Sequence, residues 1–356
     1  ELSPNSIYKE VRSNPDKKFF NKSYTKTLKK ISENISYFYN DDIAKDIVLT
    51  IQKSKNPGTM TLDDIKKYNP EINQALCHKL NIGYKICGPN LPSSGTICLI
   101  NALILYEYLH YKNLKKPNLN QILDILNFVY YIRDNFLADP DYVSFNLKDQ
   151  LNKKKILKKF KKFQDDNKIL SINNYEQVFS STSHFTLVDK YENVLSATSS
   201  IENSFGSRLF TNGFFLNNQL TDFSFKRIDS VGKLIKNRPG GGKRPLSSMS
   251  PIIVFDSEDN FLLTSGSPGG KAIISYVFKS LISSLYLNEK IDKAIEKPNY
   301  IKINGKIFVE DESLNYNLKK IGMKRNLTSG LAIIKNEGEK LIAGADSRRD
   351  GTVRGN

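Results

Sequence analysis

Apolar positions in the first part of the chain recur at helical spacing and predict helices over residues 25–54. These positions are Leu28, Ile31, Ile35, Phe38, Ile43, Ile47 and Ile51. Thr61–Asp64 predicts a further helix start, because Thr61 and Asp64 can exchange capping hydrogen bonds. Two longer helices are predicted over Thr96–Tyr111, which is apolar nearly all round, and over Leu119–Asn135.

A basic amphipathic helix is predicted around Lys153–Lys162, which holds seven lysines in ten residues. Ile156, Phe160 and Phe163 interleave with the lysines at helical spacing. We interpret this segment as a helix with a solvated basic face, in preference to a patch that binds polyanions. From Asp165 to Ser181 the chain is polar without a sustained period, which predicts an exposed linker.

Alternating strands dominate after residue 181. Three strand pairs are predicted, each pair joined by a short polar connection: His184–Asp189 with Asn193–Thr198, Ile252–Phe255 with Phe261–Thr264, and Leu331–Ile334 with Leu341–Ala345. Further elements are a strand at Tyr84–Cys87 and helices over Ala272–Leu287 and near Leu314–Ile321. Strands and helices without regular alternation indicate an α+β fold.

Thr182 stands at the boundary between the polar linker and the first of these strands. Cleavage between Ser181 and Thr182 would create a threonine hydroxyl and a free α-amino group on one residue. Such an amine, with an unperturbed pKa of roughly 7.7 to 8.0, is a base that can activate the hydroxyl. Thr182 is therefore the candidate nucleophile.

Four further motifs accompany Thr182–Asp189 in a defined order. They are Gly88–Gly95 upstream, and Gly213–Phe223, Lys243–Pro251 and Gly266–Gly270 downstream. In this order the constellation resembles the γ-glutamyltranspeptidase family of N-terminal-nucleophile hydrolases, and the resemblance covers essentially the whole chain. It implies a four-layer αββα sandwich and self-cleavage before Thr182. Residues 1–181 would then be the C-terminal part of a large subunit and residues 182–356 the small catalytic subunit.

The resemblance also implies roles for particular residues. Ser200 lies where the family has a threonine that supports the nucleophile, and the backbone N–H groups of Gly269 and Gly270 would hold the oxyanion. The substrate α-ammonium would meet Asp222, with Gln219 nearby, and its α-carboxylate would meet Ser247 and Ser248. Family precursors carry an upstream segment with an arginine for this carboxylate, and that segment is absent from this sequence.

Two features depart from the family pattern. Glu202 occupies the position of an asparagine that helps to bind the α-amino group, so substrate preference is open. The segment Lys226–Gly242, where many members have an active-site lid, is short, basic and rich in glycine, which would admit water or polymeric substrates. Gly213–Leu216 and Arg348–Thr352 look like the capsule poly-γ-glutamate branch, whereas Lys243–Ser248 looks like the glutathione-acting branch.

Composition narrows the chemistry further. Cys77, Cys87 and Cys98 form no zinc-type spacing and are expected to be buried or idle thiols. With three histidines in the chain, a mechanism without a histidine base is favoured and no metal is expected. The net charge of +16 is spread over both halves, which argues against a nucleic-acid-binding tail.

These observations predict a bacterial γ-glutamyltransferase or hydrolase that needs no cofactor. It would act on glutathione-like compounds through a γ-glutamyl ester on Thr182, with water or an amine as acceptor. Two alternatives stay open: a capsule poly-γ-glutamate depolymerase or transpeptidase, and a non-catalytic member that binds partners. By resemblance the protein would be periplasmic or extracellular, although the sequence begins without a signal peptide, and its cleaved subunits would form a heterodimer.

Overall fold

The computed structural model describes residues 18–113, 115–144, 146–166, 182–318, 322–338 and 340–355. The chain divides into two compact units. Unit 1 comprises residues 1–72 and 200–219, and unit 2 comprises residues 73–199 and 220–356. Both units take residues from either side of position 182. The proposed division into subunits is a division of the covalent chain and stays a prediction.

Unit 1 consists of short helices and a small β-hairpin. The helices are α1 (Lys22–Glu33), α2 (Ser36–Asn40), α3 (Asp42–Gln52) and α4 (Leu62–Lys66), as the periodicity predicted. Asp64 accepts a hydrogen bond from the backbone of Thr61 and donates its own N–H to the Thr61 hydroxyl, which confirms the predicted capping box. Ile43 and Ile47 are buried, whereas Leu28 and Ile35 are exposed.

Unit 2 is built around a six-stranded antiparallel sheet of β1 (Leu76–Lys79), β2 (Lys85–Gly88), β7 (Ile252–Phe255), β8 (Phe261–Gly266), β12 (Ala332–Asn336) and β13 (Leu341–Ala345), with strands numbered along the whole chain. The strands lie side by side in the order β1-β2-β7-β8-β12-β13. The predicted pairs β7–β8 and β12–β13 are confirmed. A separate hairpin joins β3 (Thr182–Val188) to β4 (Val194–Ser200), and β3 packs against β8 and β12.

The helices of unit 2 supply its apolar core. They are α5 (Gly95–Asn113), α6 (Leu119–Phe136), α7 (Leu147–Gln150), α8 (Lys153–Asp165), α9 (Ile273–Leu281), which continues as a π-helix over Ile282–Tyr286, and α10 (Ile291–Glu296). As its all-round apolar pattern predicted, α5 is buried from Ile97 to Glu107. It packs on α6 and α8, while α9 packs on both α5 and β8.

The basic helix α8 has the amphipathic form that its sequence predicted. Ile156 and Phe160 are buried in the core, and the lysines lie on the opposite face of the helix. The predicted helix near Leu314–Ile321 is instead a 3₁₀ helix over Glu312–Asn317, and residues 319–321 lie outside the described residues. A three-stranded sheet of β9 (Tyr300–Ile303), β10 (Lys306–Val309) and β11 (Met323–Lys324) completes unit 2, and β5 (Phe210–Thr211) and β6 (Phe214–Phe215) form the hairpin of unit 1.

The expectation that all three cysteines are free thiols was wrong. Cys77 and Cys87 form a disulfide, and Cys98 is free and buried. The physical reason is the register of β1 on β2, which places Cys77 directly opposite Cys87 with 4.2 Å between their Cα atoms. Strand β1 was not predicted, so the sequence spacing alone gave no sign of this pairing.

In the described part of the chain no helix is both long and apolar enough to cross a membrane.

We expect the disulfide to stabilise the pairing of the edge strand β1 with β2. Replacing Cys77 with serine should lower the free energy of unfolding by about 2 kcal/mol, because the crosslink restricts the unfolded chain. Chemical denaturation would measure this loss, with Cys98→Ser as the variant that leaves the crosslink in place. Mass spectrometry of alkylated, denatured protein should show one labelled cysteine before reduction and three afterwards; three labels without reductant would contradict the pairing.

Candidate active site

Thr182 is the first residue of β3, and its side chain is almost completely buried. Alternate residues of the strand face inward: the His184 Nδ1 lies 2.9 Å from the Thr198 hydroxyl, and the Thr186 hydroxyl lies 3.1 Å from that of Thr264. The proposed cleavage partner Ser181 and the linker from residue 167 onward lie outside the described residues. Cleavage at this bond therefore stays a prediction.

His184 fixes where β3 lies on the sheet. Its ring packs on Gly266 so closely that a Cβ at Gly266 would stand 2.2 Å from the ring carbon Cε1. Only glycine permits this approach. Burial lowers the pKa of His184 to about 4, although a hydrogen bond with the Ala197 backbone acts in the other direction, so the ring is neutral at neutral pH. The strand that begins with Thr182 is thus docked on the first residue of the Gly266–Gly270 motif.

The Gly269–Gly270 turn, the predicted oxyanion site, has both glycines at positive φ. Gly269 has φ +135° and Gly270 has φ +58°, and the turn leads through a 3₁₀ helix over Gly270–Ala272 into α9. A Cβ at Gly269 would stand 2.5 Å from the ring of Tyr276, so a larger residue would be excluded even without the positive φ. Successive N–H groups in turns can form anion-binding nests, and the oxyanion role of this turn stays a prediction.

Ser247 and Ser248 lie in a loop held by the upstream motif. The Ser94 N–H and hydroxyl both donate to the Ser247 carbonyl oxygen, at 2.9 and 2.6 Å, and the Ser247 N–H donates to the Pro92 carbonyl at 3.0 Å. The Ser93 hydroxyl donates to the carbonyl of Met249 at 2.6 Å. The Leu91–Pro92 peptide bond is cis. The motif Gly88–Gly95 therefore positions the serine pair.

The hydroxyl of Ser248 has no hydrogen-bond partner among the described residues, although it is buried. Leaving such a group unsatisfied costs about 1–3 kcal/mol. Most buried polar groups in native proteins are paired, and an exception calls for an explanation such as an incoming ligand. Eight other buried side-chain atoms of the described residues share this status, so the substrate role of Ser248 stays a prediction.

Asp222 ends a 3₁₀ helix that begins at Gln219. The backbone carbonyl of Asp222 accepts a hydrogen bond from the Asn237 side chain at 2.7 Å, and Phe223, the next residue, is buried. Gln219 donates its N–H to the side chain of Asn217 at 2.9 Å. Gln219 lies in unit 1 and Asp222 in unit 2.

Ser200 and Glu202 belong to unit 1, where a tight turn brings them together. The Glu202 N–H donates to the Ser200 hydroxyl at 2.9 Å, and the Asn218 amide donates to the Glu202 carboxylate at 3.3 Å. Glu202 is buried and has φ +71°. Asparagine occupies this left-handed region more readily than glutamate does. The departure at this position therefore changes backbone strain as well as charge.

A buried cluster of charges that sequence reasoning missed links two of these loops. The Asp134 carboxylate lies 2.6 Å from Arg133 Nη1 and 3.2 Å from Lys271 Nζ, and Lys271 directly follows the Gly269–Gly270 turn. Arg133 Nε donates to the Ser94 hydroxyl at 3.1 Å. The cluster therefore runs from the glycine turn to the residue that holds Ser247.

Electrostatics in this cluster favours the ionised carboxylate. Burial by itself would raise the pKa of Asp134, but Lys271 and Arg133 outweigh it and hold that pKa below its usual value. Burial lowers the pKa of Lys271, with Asp134 opposing that shift. Within the described residues, no group of three or more His, Cys, Asp and Glu side chains is placed to hold a metal ion.

The structure thus connects some of the predicted residues within unit 2, while others belong to unit 1. In unit 2 the Thr182 strand, the glycine turn and the serine loop are connected through His184, Gly266 and the Asp134 cluster. In unit 1, Ser200 and Glu202 share a turn. The catalytic and binding roles of all these residues, and those of Gln219 and Asp222, stay predictions.

Comparison with known proteins gives concordant matches. The family described as Gamma-glutamyltranspeptidase matches residues 9–355. The chain is 31% identical over 313 residues to the Bacillus subtilis (strain 168) glutathione hydrolase proenzyme, covering 78% of this chain and 50% of that protein. The Bacillus anthracis capsule biosynthesis protein CapD proenzyme is 28% identical over 346 residues, covering 93% of this chain and 61% of that protein.

Among solved structures, cephalosporin acylase from Bacillus halodurans superimposes with a TM-score of 0.72 at 18% identity, covering 93% of this chain and 62% of that chain. This likeness shows the fold, which has the predicted α+β class. The chain spans about half the length of the first curated relatives that it matches.

The Asp134 cluster generates a prediction about stability and pH. Asp134→Asn should lower the free energy of unfolding by about 3 kcal/mol at neutral pH, because it leaves Arg133 and Lys271 buried without their counter-charge. Since the folded-state pKa of Asp134 is depressed, its contribution is present above the unfolded pKa of about 3.9 and is lost as pH falls below it. Denaturation at pH 3 to 7 would measure this.

The matched control is Asp124→Asn on the same helix, which removes a half-exposed partner of Lys302. It should cost less than about 1 kcal/mol. Equal losses for the two variants, or an Asp134→Asn loss that does not shrink on acidification, would contradict the role assigned to the cluster.

Proposed function

Because the chain belongs to the γ-glutamyltranspeptidase family, we propose that it supplies the reactive centre of an N-terminal-nucleophile enzyme that transfers a γ-glutamyl group to water or an amine. The observation that carries the proposal is the docking of β3: the strand that begins with Thr182 packs through His184 on Gly266, which opens the glycine motif. That contact ties the candidate nucleophile to the candidate oxyanion turn.

Self-cleavage between Ser181 and Thr182 is the first proposed step. The Thr182 hydroxyl attacks the Ser181 carbonyl, the peptide C–N bond breaks, and hydrolysis of the resulting ester frees the hydroxyl again. The new α-amino group of Thr182 then serves as the base for the second reaction. Residues 1–181 become part of a large subunit and residues 182–356 the small subunit, and the two stay associated as a heterodimer.

The proposed transfer uses the same hydroxyl. The α-amine of Thr182 accepts its proton as the oxygen attacks the γ-carbonyl, and the N–H groups of Gly269 and Gly270 stabilise the oxyanion. Collapse breaks the γ-amide bond, and the protonated α-amine gives its proton to the leaving amine. A water or amine acceptor then cleaves the γ-glutamyl-Thr182 ester by the reverse proton transfers, with no cofactor in either half-reaction.

The glutamyl group presents charges of both signs on its α-carbon. We propose that Asp222, assisted by Gln219, pairs with the ammonium, and that Ser247 and Ser248 donate to the carboxylate. Support comes from the unpartnered hydroxyl of Ser248. Ser200 would support the nucleophile, as in the family. Glu202 would add a second negative charge for the ammonium, and an arginine from an upstream segment would balance it.

A second candidate substrate is poly-γ-glutamate, whose repeated α-carboxylates suit a basic surface. The segment Lys226–Gly242 supports it: Asp222 and the serine loop flank a stretch that carries Lys226, Arg227, Lys233, Lys236 and Arg238. The similarity to the capsule biosynthesis protein covers most of the chain. We keep glutathione-like compounds as the first candidate, because the serine loop resembles that branch.

An oxidising compartment is the proposed location, either the periplasm or the cell exterior. The Cys77–Cys87 disulfide supports it, since such bonds persist where thiols are not kept reduced. Relatives named proenzymes agree with maturation by cleavage.

Maturation is the first test. The purified protein, expressed with any region encoded upstream, should yield one piece that begins at Thr182, as read by intact mass and N-terminal sequencing. Thr182→Ala should stay whole because the hydroxyl is lost, whereas Thr182→Ser should still cleave. A wild-type protein that stays whole, or a second piece that begins elsewhere, would contradict cleavage before Thr182. The alternative of a non-catalytic member that binds partners would then be favoured.

Substrate recognition is tested separately in the matured protein. Ser248→Ala should raise KM for a γ-glutamyl anilide about tenfold, because a hydrogen bond to a charged group contributes about 1.5–3 kcal/mol. Cleavage before Thr182 should be unaffected, since Ser248 is assigned to the substrate and not to the scissile peptide. Ser283→Ala, at a similarly buried serine on the π-helix, serves as the control. An unchanged KM for Ser248→Ala would remove this residue from the site.

A further inference from the structure

Asn237 uses both ends of its side-chain amide to bridge two loops. Its Nδ2 donates to the backbone carbonyl of Asp222 at 2.7 Å, and its Oδ1 accepts from the backbone N–H of Leu246 at 3.1 Å. Its own carbonyl accepts from the N–H of Ser224 at 2.8 Å. One residue therefore connects the loop of Asp222 to the loop that continues into Ser247 and Ser248.

Both ends of the bridge lie next to buried or hydrogen-bonded parts of unit 2. Leu246 is buried in the hydrophobic core, and Ser247 next to it is held by Pro92 and Ser94. Phe223 and Ser224, which follow Asp222, are also buried. Because both loops are held by other contacts, the bridge fixes the position of one loop relative to the other.

The backbone around Asn237 is held as well. Lys243 Nζ donates to the carbonyls of Lys236 and Arg238, the latter at 2.9 Å. The same ammonium lies 5.9 Å from the centre of the Phe223 ring. Residues 227–235 form their own turn: the Ile235 N–H donates to the Arg227 carbonyl at 2.9 Å, and Ile228 pairs with Leu234. These contacts hold the end of the basic segment, where Asn237 lies, against the loop of Asp222.

We propose that Asn237 is a positioning residue that fixes the spacing between the ammonium-binding Asp222 and the carboxylate-binding Ser247–Ser248 pair, so that the site selects an amine and a carboxylate carried by one carbon. The inference rests on the proposed function, because it assumes the substrate roles of those residues. A ligand that reaches two fixed subsites at once gains affinity that is lost when their spacing varies.

The amide is the chemical feature that matters. Asparagine offers a donor and an acceptor at one short tip, whereas aspartate offers acceptors only. Asn237→Asp would keep the bond from Leu246 but would place a carboxylate oxygen against the Asp222 carbonyl. Asn237→Ala would remove both bonds. The two variants differ in size and charge, so a shared effect would trace to the lost bridge.

The experiment compares three ligands by calorimetric titration of the whole protein. L-glutamate carries both α-groups, glutarate lacks the amine, and 4-aminobutanoate lacks the α-carboxylate. In both Asn237 variants the affinity for L-glutamate should fall about tenfold, as loss of hydrogen bonds of about 1 kcal/mol each allows. The affinities for glutarate and 4-aminobutanoate, each using one subsite, should change by less than about twofold.

Asn336→Ala is the matched control. Asn336 also bridges two segments, donating to the Phe261 carbonyl at 3.2 Å and accepting from the Gly338 N–H at 3.0 Å, in another part of unit 2. All three affinities should be unchanged in this variant. Circular dichroism and thermal unfolding would verify that each variant is folded.

The outcomes separate the inference from the function on which it rests. Equal losses for all three ligands, or an unchanged affinity for L-glutamate, would overturn the positioning role and leave the proposed function standing. A wild-type protein that binds L-glutamate no better than glutarate and 4-aminobutanoate would overturn the substrate roles of Asp222, Ser247 and Ser248, and the inference with them.

Discussion

The ionised carboxylate of Asp134, enclosed between Arg133 and Lys271, is the interaction on which the arrangement of the candidate site in unit 2 depends. A buried charge is tolerated when its partners are close and satisfied, and here the partners come from two segments distant in sequence. Because Arg133 also donates to Ser94, the same cluster reaches the turn that holds the serine loop. Helix α6 thus acts as the common support for two loops that would meet opposite ends of a glutamyl group.

Glycine and neutral histidine add a second support, at the contact of β3 with β8. The contact between His184 and Gly266 allows β3 to lie directly on β8, and the low pKa of the ring means that no buried positive charge has to be balanced there. Precise sites are best placed on rigid elements whose own packing is settled. Thr182 stands at the start of such a strand, so its position depends on His184 and Gly266, which take no part in the proposed chemistry.

Most regular elements of this fold are visible in the sequence, because burial imposes its period on the side chains. The pairs β7–β8 and β12–β13 follow from that period, and the buried helix α5 follows from a long run that is apolar nearly all round. Strand β1, and with it the disulfide, escaped prediction because four residues are too few to establish an alternation. Glu202 could be recognised as a substitution, but its left-handed backbone could not.

The candidate site divides in the same way. Thr182, Gly269, Gly270 and the serine pair belong to local motifs and could be found from the sequence. Asn237, Asp134 and Lys271 could not, since each matters through a partner that is far away along the chain and close in space. An asparagine in a basic, glycine-rich stretch ordinarily indicates a turn, and only the two bonds that it makes across the loops distinguish it.

The buried hydroxyl of Ser248 bears on how a binding protein divides its hydrogen bonds between folding and binding. A buried hydroxyl that pairs only with a substrate, as proposed for Ser248, contributes its hydrogen bond to binding and none to folding. Selection for stability alone would replace such a hydroxyl with an apolar group, whereas selection for binding would keep it.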